Sequence, residues 1–251
     1  MLTQYLSQTT ALLQNPSASP PLYATALLTG FINTARGQLA GESEACRFMG
    51  TLTAIVGTRV YPFTSISLAG SSGVLGVINA RTLWYLVGSG QKWLRPRPWE
   101  WFSLYELNTA VPNIGPPMVW SQYGQGAQAQ AVPNPVGGGS LYISPLPDII
   151  YTLPVDCVCY PVPLVDDTTP EAIPYLWTDA VPYYAAYLAL LSSQTGARTQ
   201  LAQEYFKIYT DFVNRARRAA TPGTLPTIYP QIPSPVTQNQ LGVSGQQRGA
   251  A

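Results

Sequence analysis

The spacing of apolar side chains changes character twice along this 251-residue chain, and nothing else in the sequence restricts its fold as much. Residues 3–14 and 21–47 carry apolar positions at helical spacing. From residue 51 the spacing becomes that of strands, and near residue 171 helical spacing returns. Leu22, Ala26, Leu27, Phe31, Ala35 and Leu39 form one stripe on the second helix, with Ser19 as N-cap and Pro20 at the first helical position. Gly30 and Gly37 weaken that helix slightly.

In the middle of the chain, "TLTAIVGTRVYPF" (51–63), "GVLGVINARTLWYLV" (73–87) and "PMVWSQYG" (117–124) are rich in β-branched and aromatic residues bounded by Gly and Pro. They predict short antiparallel strands with long connections. "RPRPWEWF" (95–102) reads as a proline-stiffened turn, and "GQGAQAQAVPNPVGGG" (124–139) as a loop or hairpin tip. In "SLYISPLPDIIYTLPVDCVCYP" (140–161), Tyr151, Leu153, Val155, Cys157 and Cys159 recur at period two. That predicts a central strand with its "CVC" face inward and Tyr160 outward near the rim.

The returning helix has Thr169 and Pro170 as start signals, Gly196 as a stop and a kink expected at Pro182. The last helix carries Leu201, Tyr205, Ile208, Phe212 and Val213 as its stripe, and Arg215, Arg217 and Arg218 in its final turns. Beyond residue 220 the prolines are too dense for a packed core. Leu225, Ile228, Tyr229 and Ile232 stand between them as anchors on a stiff strip, an arm suited to lying along another surface. The fold class is therefore α+β: a discontinuous helical bundle from an N-terminal pair (1–50) and a C-terminal pair (171–220). An antiparallel β-rich domain (51–170) is inserted between them, and an extended C-terminal arm and tail (221–251) follows.

Composition narrows the chemistry. Charged residues make up 10% of the chain, against about 25% in typical soluble domains. Interface cores share that depletion and are enriched in Tyr and Trp, so much of this surface is expected to be covered by neighbours. The net charge of +1 gives no strong field toward nucleic acid or an anionic membrane. The apolar run at 180–191 is shorter than the roughly 20 residues a membrane span needs, and the start lacks the pattern of a signal peptide. A soluble protein made in the cytoplasm is expected. The absence of histidine removes Ser-His-Asp and Cys-His pairs and the commonest transition-metal ligand. The three cysteines have no CxxC spacing. No cofactor, no metal and no catalytic residue are expected.

The order of several pieces resembles the head-to-tail adaptor (connector) proteins of tailed bacteriophages. "LTGFINTARGQLAGES" is similar to that family's second helix with its Asn33–Ala35–Arg36 core. "TLTAIVGTRVYPF" resembles its threonine-rich strand, and "GPPMVWSQYGQG" its Pro-x-x-Trp strand. "SLYISPLPDIIYTLPVDCVCYPVPL" resembles its Pro-x-Pro strand pair, and "IPYLWTDAVPYYAAYLALLSSQTGARTQLAQEYFKIYTDFVNRAR" the closing helical pair. The long proline-rich arm and the very low charge depart from many members. The resemblance implies a structural virion protein of the neck. It would form a ring, commonly of twelve subunits, that docks under the portal protein, extends the DNA channel and offers the tail or nozzle protein its attachment surface. The arm, through Leu225, Ile228, Tyr229 and Ile232, would reach the portal or a neighbouring subunit. Arg215, Arg217 and Arg218 are candidates for transient, non-specific contact with DNA in the channel.

Two rival readings start from particular residues. Trp93, Trp99 and Trp101 fall in one segment and suggest a tail or receptor-binding module with a sugar platform. The paired carboxylates Glu42 and Glu44, or Asp166 and Asp167, suggest a cell-wall hydrolase. Their alternative roles are helix capping for the aspartates and ion pairing with Arg36 or Arg47 for the glutamates.

Overall fold

The computed structural model describes residues 1–14, 22–68, 70, 72–88, 90–107, 113–124, 139–192 and 196–220. The chain is α+β. Helices α1 (Leu2–Leu12) and α2 (Thr25–Ser43) lead into β1 (Arg47–Ala54), β2 (Val60–Pro62), β3 (Val74–Val87), β4 (Gly90–Trp93) and β5 (Arg95–Pro96). A short helix α3 (Trp99–Phe102) precedes β6 (Val119–Tyr123), β7 (Ser140–Ser144) and β8 (Tyr151–Pro161). The described chain closes with α4 (Ala180–Ser192) and α5 (Gly196–Ala220).

The strands form two four-stranded sheets, ordered β1-β8-β3-β4 and β2-β7-β6-β5. Every ladder is antiparallel except the short parallel pairing of β5 with β6. The sheets share one core, with Leu52, Leu83, Leu153 and Val155 of the first packed with Trp120, Leu141 and Ile143 of the second. The alternation in β8 works as its period requires: Leu153, Val155, Cys157 and Cys159 enter this core, with Tyr151 packed at its edge. β8 lies between β1 and β3, and β3 is a long strand of 14 residues, not a short one.

Helices from both ends of the sequence pack on α4. Ala180, Ala185, Ala186 and Ala189 are fully buried, and such small side chains let α1, α2 and α5 all approach one helix. Leu2, Tyr5, Ile32, Leu39, Tyr209 and Val213 meet α4 in one cluster, and Leu13, Tyr23, Leu28 and Ala202 in the next. Helix α2 also lies on β8. There Tyr160 is half-buried, not free at the rim, because its ring covers Gly37. A Cβ at Gly37 would fall 2.1 Å from the Tyr160 hydroxyl, so this glycine permits the close approach.

Several sequence expectations are corrected. Helix does not return at residue 171: residues 171–179 form an irregular crossover with a single 3-10 turn at Tyr175–Trp177, and α4 starts at Ala180. Pro182 thus sits in the first turn, where its missing N–H breaks no bond, and no kink is needed. Gly196 does not stop a helix; it opens α5. The two stripes are partly as expected: Ala35 and Leu39 on α2 and Val213 on α5 are buried, and Phe31, Tyr205 and Phe212 are half-buried. Leu22, which precedes α2, and Leu27 are exposed while Leu28 and Ile32 are buried, and on α5 Leu201 and Ile208 are exposed while Ala202, Tyr209 and Ala216 are buried. Each helix holds more apolar residues than one face can bury, and packing on an alanine-rich partner favours the face with closer contact. Ser19, Pro20 and most of the 124–139 connection lie outside the described residues.

Candidate assembly surfaces

The residues Asn33 and Arg36 of α2 organise the junction between helices and crossover. Arg36 is fully buried. Its Nε donates to Glu171 Oε2 at 3.0 Å, its Nη2 to Glu171 Oε1 at 2.7 Å and its Nη1 to the Val162 carbonyl at 2.7 Å. Asn33 donates to the Leu164 carbonyl at 3.0 Å and accepts the Leu164 N–H at 2.7 Å. Tyr5 of α1 donates its hydroxyl to Glu171 Oε2 at 2.9 Å. One charge pair therefore joins α1, α2 and the crossover, with its remaining hydrogen-bond capacity satisfied, as a buried pair requires. Burial, with the Glu171 carboxylate beside it, holds the Tyr5 hydroxyl well above the usual tyrosine range.

The thiols and carboxylates singled out in the sequence have structural partners. Cys46, Cys157 and Cys159 are free and buried. Burial pushes the Cys46 and Cys157 thiols each up to about 12, so neither forms a nucleophilic thiolate near neutral pH. Among the described residues no three His, Cys, Asp or Glu side chains stand together in a way that could hold a metal ion. The glutamates do not pair with Arg36 or Arg47 as expected. Glu42 accepts the Tyr209 hydroxyl at 3.0 Å, and Glu44 pairs with Arg81 at 2.5 Å. Arg47 pairs instead with Asp156, diagonally across the β1–β8 ladder, with Nε 3.1 Å from Oδ1. Asp166 caps a turn by accepting from the N–H and hydroxyl groups of Thr168 and Thr169. Asp167 caps a helix, but not the one that follows it: it accepts the Thr3 N–H at 2.9 Å in the first turn of α1. The hydrogen bond from the Met1 amine, followed by those from the Thr3 hydroxyl and N–H, holds its carboxyl well below the usual carboxylate range.

The three arginines at the end of α5 are not equivalent. Arg217 donates to the Glu42 carbonyl from Nε at 3.0 Å and from Nη2 at 2.7 Å, closing the C-terminus of α2. The Arg215 guanidinium lies 4.4 Å from the Phe212 ring centroid, and Arg218 is exposed. Arg47 donates to the carbonyl of Ala220 at 2.8 Å, so the end of α5 is fastened to the first sheet. The arm anchors Leu225, Ile228, Tyr229 and Ile232 lie outside the described residues.

The tryptophans separate into two groups. Trp99 packs against Tyr123 and Tyr142, with ring centroids 4.7 and 4.5 Å away, over the buried Phe102. Arg97 stacks over Trp101 at 4.9 Å. Trp93 stands apart on β4, 5.8 Å from Trp84. The aromatic rings of 99–102 thus hold α3 on the second sheet and do not line up as one flat platform.

An apolar surface that sequence reasoning missed sits at one end of the first sheet. Ala54 pairs with Tyr151 at the end of the β1–β8 ladder, and the Gly57 N–H donates to the Pro147 carbonyl at 3.0 Å. The Leu83–Val155 pairing carries the end of β3 to the same edge. Ile55 and Val56 leave β1 there, Leu86 and Val87 end β3, and Ile149 and Ile150 lead into β8. All six are more than half exposed. Asp148, the nearby carboxylate, is engaged by the Tyr151 hydroxyl at 2.7 Å. The helices lie at the other end, where Tyr160 meets Gly37 and Arg47 meets Ala220. Exposed apolar patches are often interaction surfaces. The signal of this one in the sequence is three adjacent apolar pairs at strand ends, where the period-two alternation fails.

No helix among the described residues is long and apolar enough to cross a membrane. A family model described as SU10 adaptor protein matches residues 3–229, which include both helical ends and the β-rich middle. A search of curated proteins found no match.

Proposed function

The chain belongs to the SU10 adaptor protein family, a phage adaptor family with a structural role, and from that premise we propose that it is the repeating subunit of a ring in the virion neck. In this reading the ring, of about twelve copies by family resemblance, docks beneath the portal protein after packaging and lengthens the DNA channel. It gives the tail or nozzle protein its seat. The chain is made in the host cytoplasm and functions in the virion. The helices within 1–50 and 171–220 act as one discontinuous bundle that stacks side by side around the channel, and the β-rich part, 51–170, projects from it. The 221–251 arm, through Leu225, Ile228, Tyr229 and Ile232, secures the joint to the portal or a neighbour. Arg215 and Arg218 are the channel-facing candidates, since Arg217 is committed to the Glu42 carbonyl.

The observation that carries this reading is the apolar tip formed by Ile55, Val56, Leu86, Val87, Ile149 and Ile150. A chain with 10% charged residues, bearing such a tip at one end and its helices at the other, has the surface of a part covered on several sides. The rival readings have less support, because Trp99 is packed and both carboxylate pairs are engaged in capping, ion pairing or, for Glu42, a hydrogen bond from Tyr209.

Native mass spectrometry of the full-length protein, with and without the portal ring, tests the proposal. The expected result is a portal that gains one fixed number of subunits, and a truncation before Leu225 that fails to add. A protein that stays monomeric and ignores the portal would sink the reading.

A further inference from the structure

A groove runs between α1 and α5 over the start of α4. Gln8 of α1, Asp179, Pro182 and Tyr183 at the start of α4, and Tyr205 and Phe212 of α5 line it, and its volume is about 590 Å³. The Tyr183 ring lies between the α5 aromatics, 5.9 Å from Tyr205 and 6.2 Å from Phe212. The Tyr205 hydroxyl donates to the Leu12 carbonyl at 2.9 Å, fixing α5 to the C-terminal end of α1. Gln8 Oε1 is buried here and has no donor. An occupant must therefore offer apolar or proline surface to three rings and an N–H to a buried acceptor. Aromatic-lined grooves take proline-rich extended segments for these reasons.

We propose that the groove is filled, in the free subunit, by the chain's own residues 228–232, "IYPQI". The inference rests on the reading of the arm as a docking segment and names the surface it docks on. Reach and spacing support it. Helix α5 ends at Ala220, and at about 1.5 Å rise per residue Phe212 lies roughly 12 Å back along it and Tyr205 roughly 22 Å back. Pro222–Gly223 is a turn dipeptide that lets the chain reverse. From Thr224, an extended proline-rich strip advances about 3.1 Å per residue. Ile228 then comes level with Phe212 and Ile232 level with Tyr205, and Tyr229 and Gln231 carry N–H groups for Gln8 Oε1. A short tether gives the chain's own groove a local arm concentration on the order of millimolar, well above that of a second copy in dilute solution. Every copy has the same groove, so an arm passed to a neighbour during assembly exchanges like contacts for like.

The test uses the full-length protein with a benzophenone amino acid in place of Tyr229, irradiated as free subunit and mapped by mass spectrometry. Cross-links to α1, Tyr183 or α5 at the mass of a single chain are the expected result. Ile228→Asp with Ile232→Asp, two changes outside the folded core, should lower their yield at least fivefold. Cross-links to another surface, cross-links at the mass of two chains, or a yield unmoved by the double substitution would overturn the inference. The same protein added to the portal ring separates this idea from the adaptor reading. Arm-dependent ring addition with no groove cross-link removes the groove alone. Groove cross-links with no ring addition remove the adaptor reading and keep the groove.

Discussion

Arg36 and Glu171 show what a single pair decides in this protein. Both are charged and buried, and each satisfies the other, so removing one leaves an uncompensated charge in the interior. Glu171→Ala is expected to cost about 3–5 kcal/mol, read as a fall in the urea midpoint, with α1 released along with the crossover. The sequence pointed to Arg36 through its resemblance to a family helix, but not to its partner 135 positions away. Only the fold brings those positions together, and local spacing has no access to that. The thiols make a second prediction. Burial raises Cys46 and Cys157 from an ordinary value of 9.0 to about 12, so between those values the unfolded chain loses protons that the folded chain keeps. Stability should therefore be intact below pH 9 and fall as pH rises toward 12. A thiol reagent at pH 8 should find no reactive cysteine in the native protein and all three in denaturant. Prompt native labelling would contradict this account.

Elements were legible in the sequence where their pattern is local. The period-two row in β8 was readable because its inward face is aliphatic and thiol and nothing interrupts it. The start of α4 was not, because Pro170, Pro174 and Pro182 look alike as start or kink signals, and only the packing of Ala180 onward selects the last as a first-turn residue. The faces of α2 and α5 were legible in part, through Ala35, Leu39 and Val213, and blurred where the exposed Leu27, Leu201 and Ile208 outweighed the small buried Ala202 and Ala216 in the pattern. The turn into β3 shows a backbone requirement of the same non-local kind. Gly73 has φ +78°, its carbonyl accepts the Val162 N–H at 2.8 Å, and a Cβ there would lie 2.5 Å from the Pro170 carbonyl oxygen. Gly73→Ala combines a left-handed φ with a backbone collision that no rotamer relieves. It is expected to cost about 1–3 kcal/mol in chemical denaturation and to loosen the crossover first, seen as faster amide exchange at Val162.

At the scale of the molecule, two ends differ in what they expose. One carries helices, fastened to the sheet through Arg47 and Ala220; the other carries six exposed aliphatics. Ile149→Asp with Ile150→Asp should leave the unfolding midpoint nearly unchanged, since both side chains already face solvent. In the adaptor reading it should weaken ring or tail association by about 2 kcal/mol or more, as loss of interface anchors does. Unchanged assembly in that variant would assign the tip another role. The central place of α4 has a further consequence, for synthesis. Helices α1 and α2 bury their apolar faces on a helix that begins at residue 180, and β1 pairs with a strand that begins at residue 151. While the ribosome is still translating the middle of the gene, neither has its partner. The sheet core therefore cannot close until β8 has emerged, and the two helical clusters cannot close until α4 and α5 follow, so the helical part is the last to fold. Nascent chains stalled before residue 180 should be cut readily by protease within α1 and α2, whereas chains released after residue 220 should resist there.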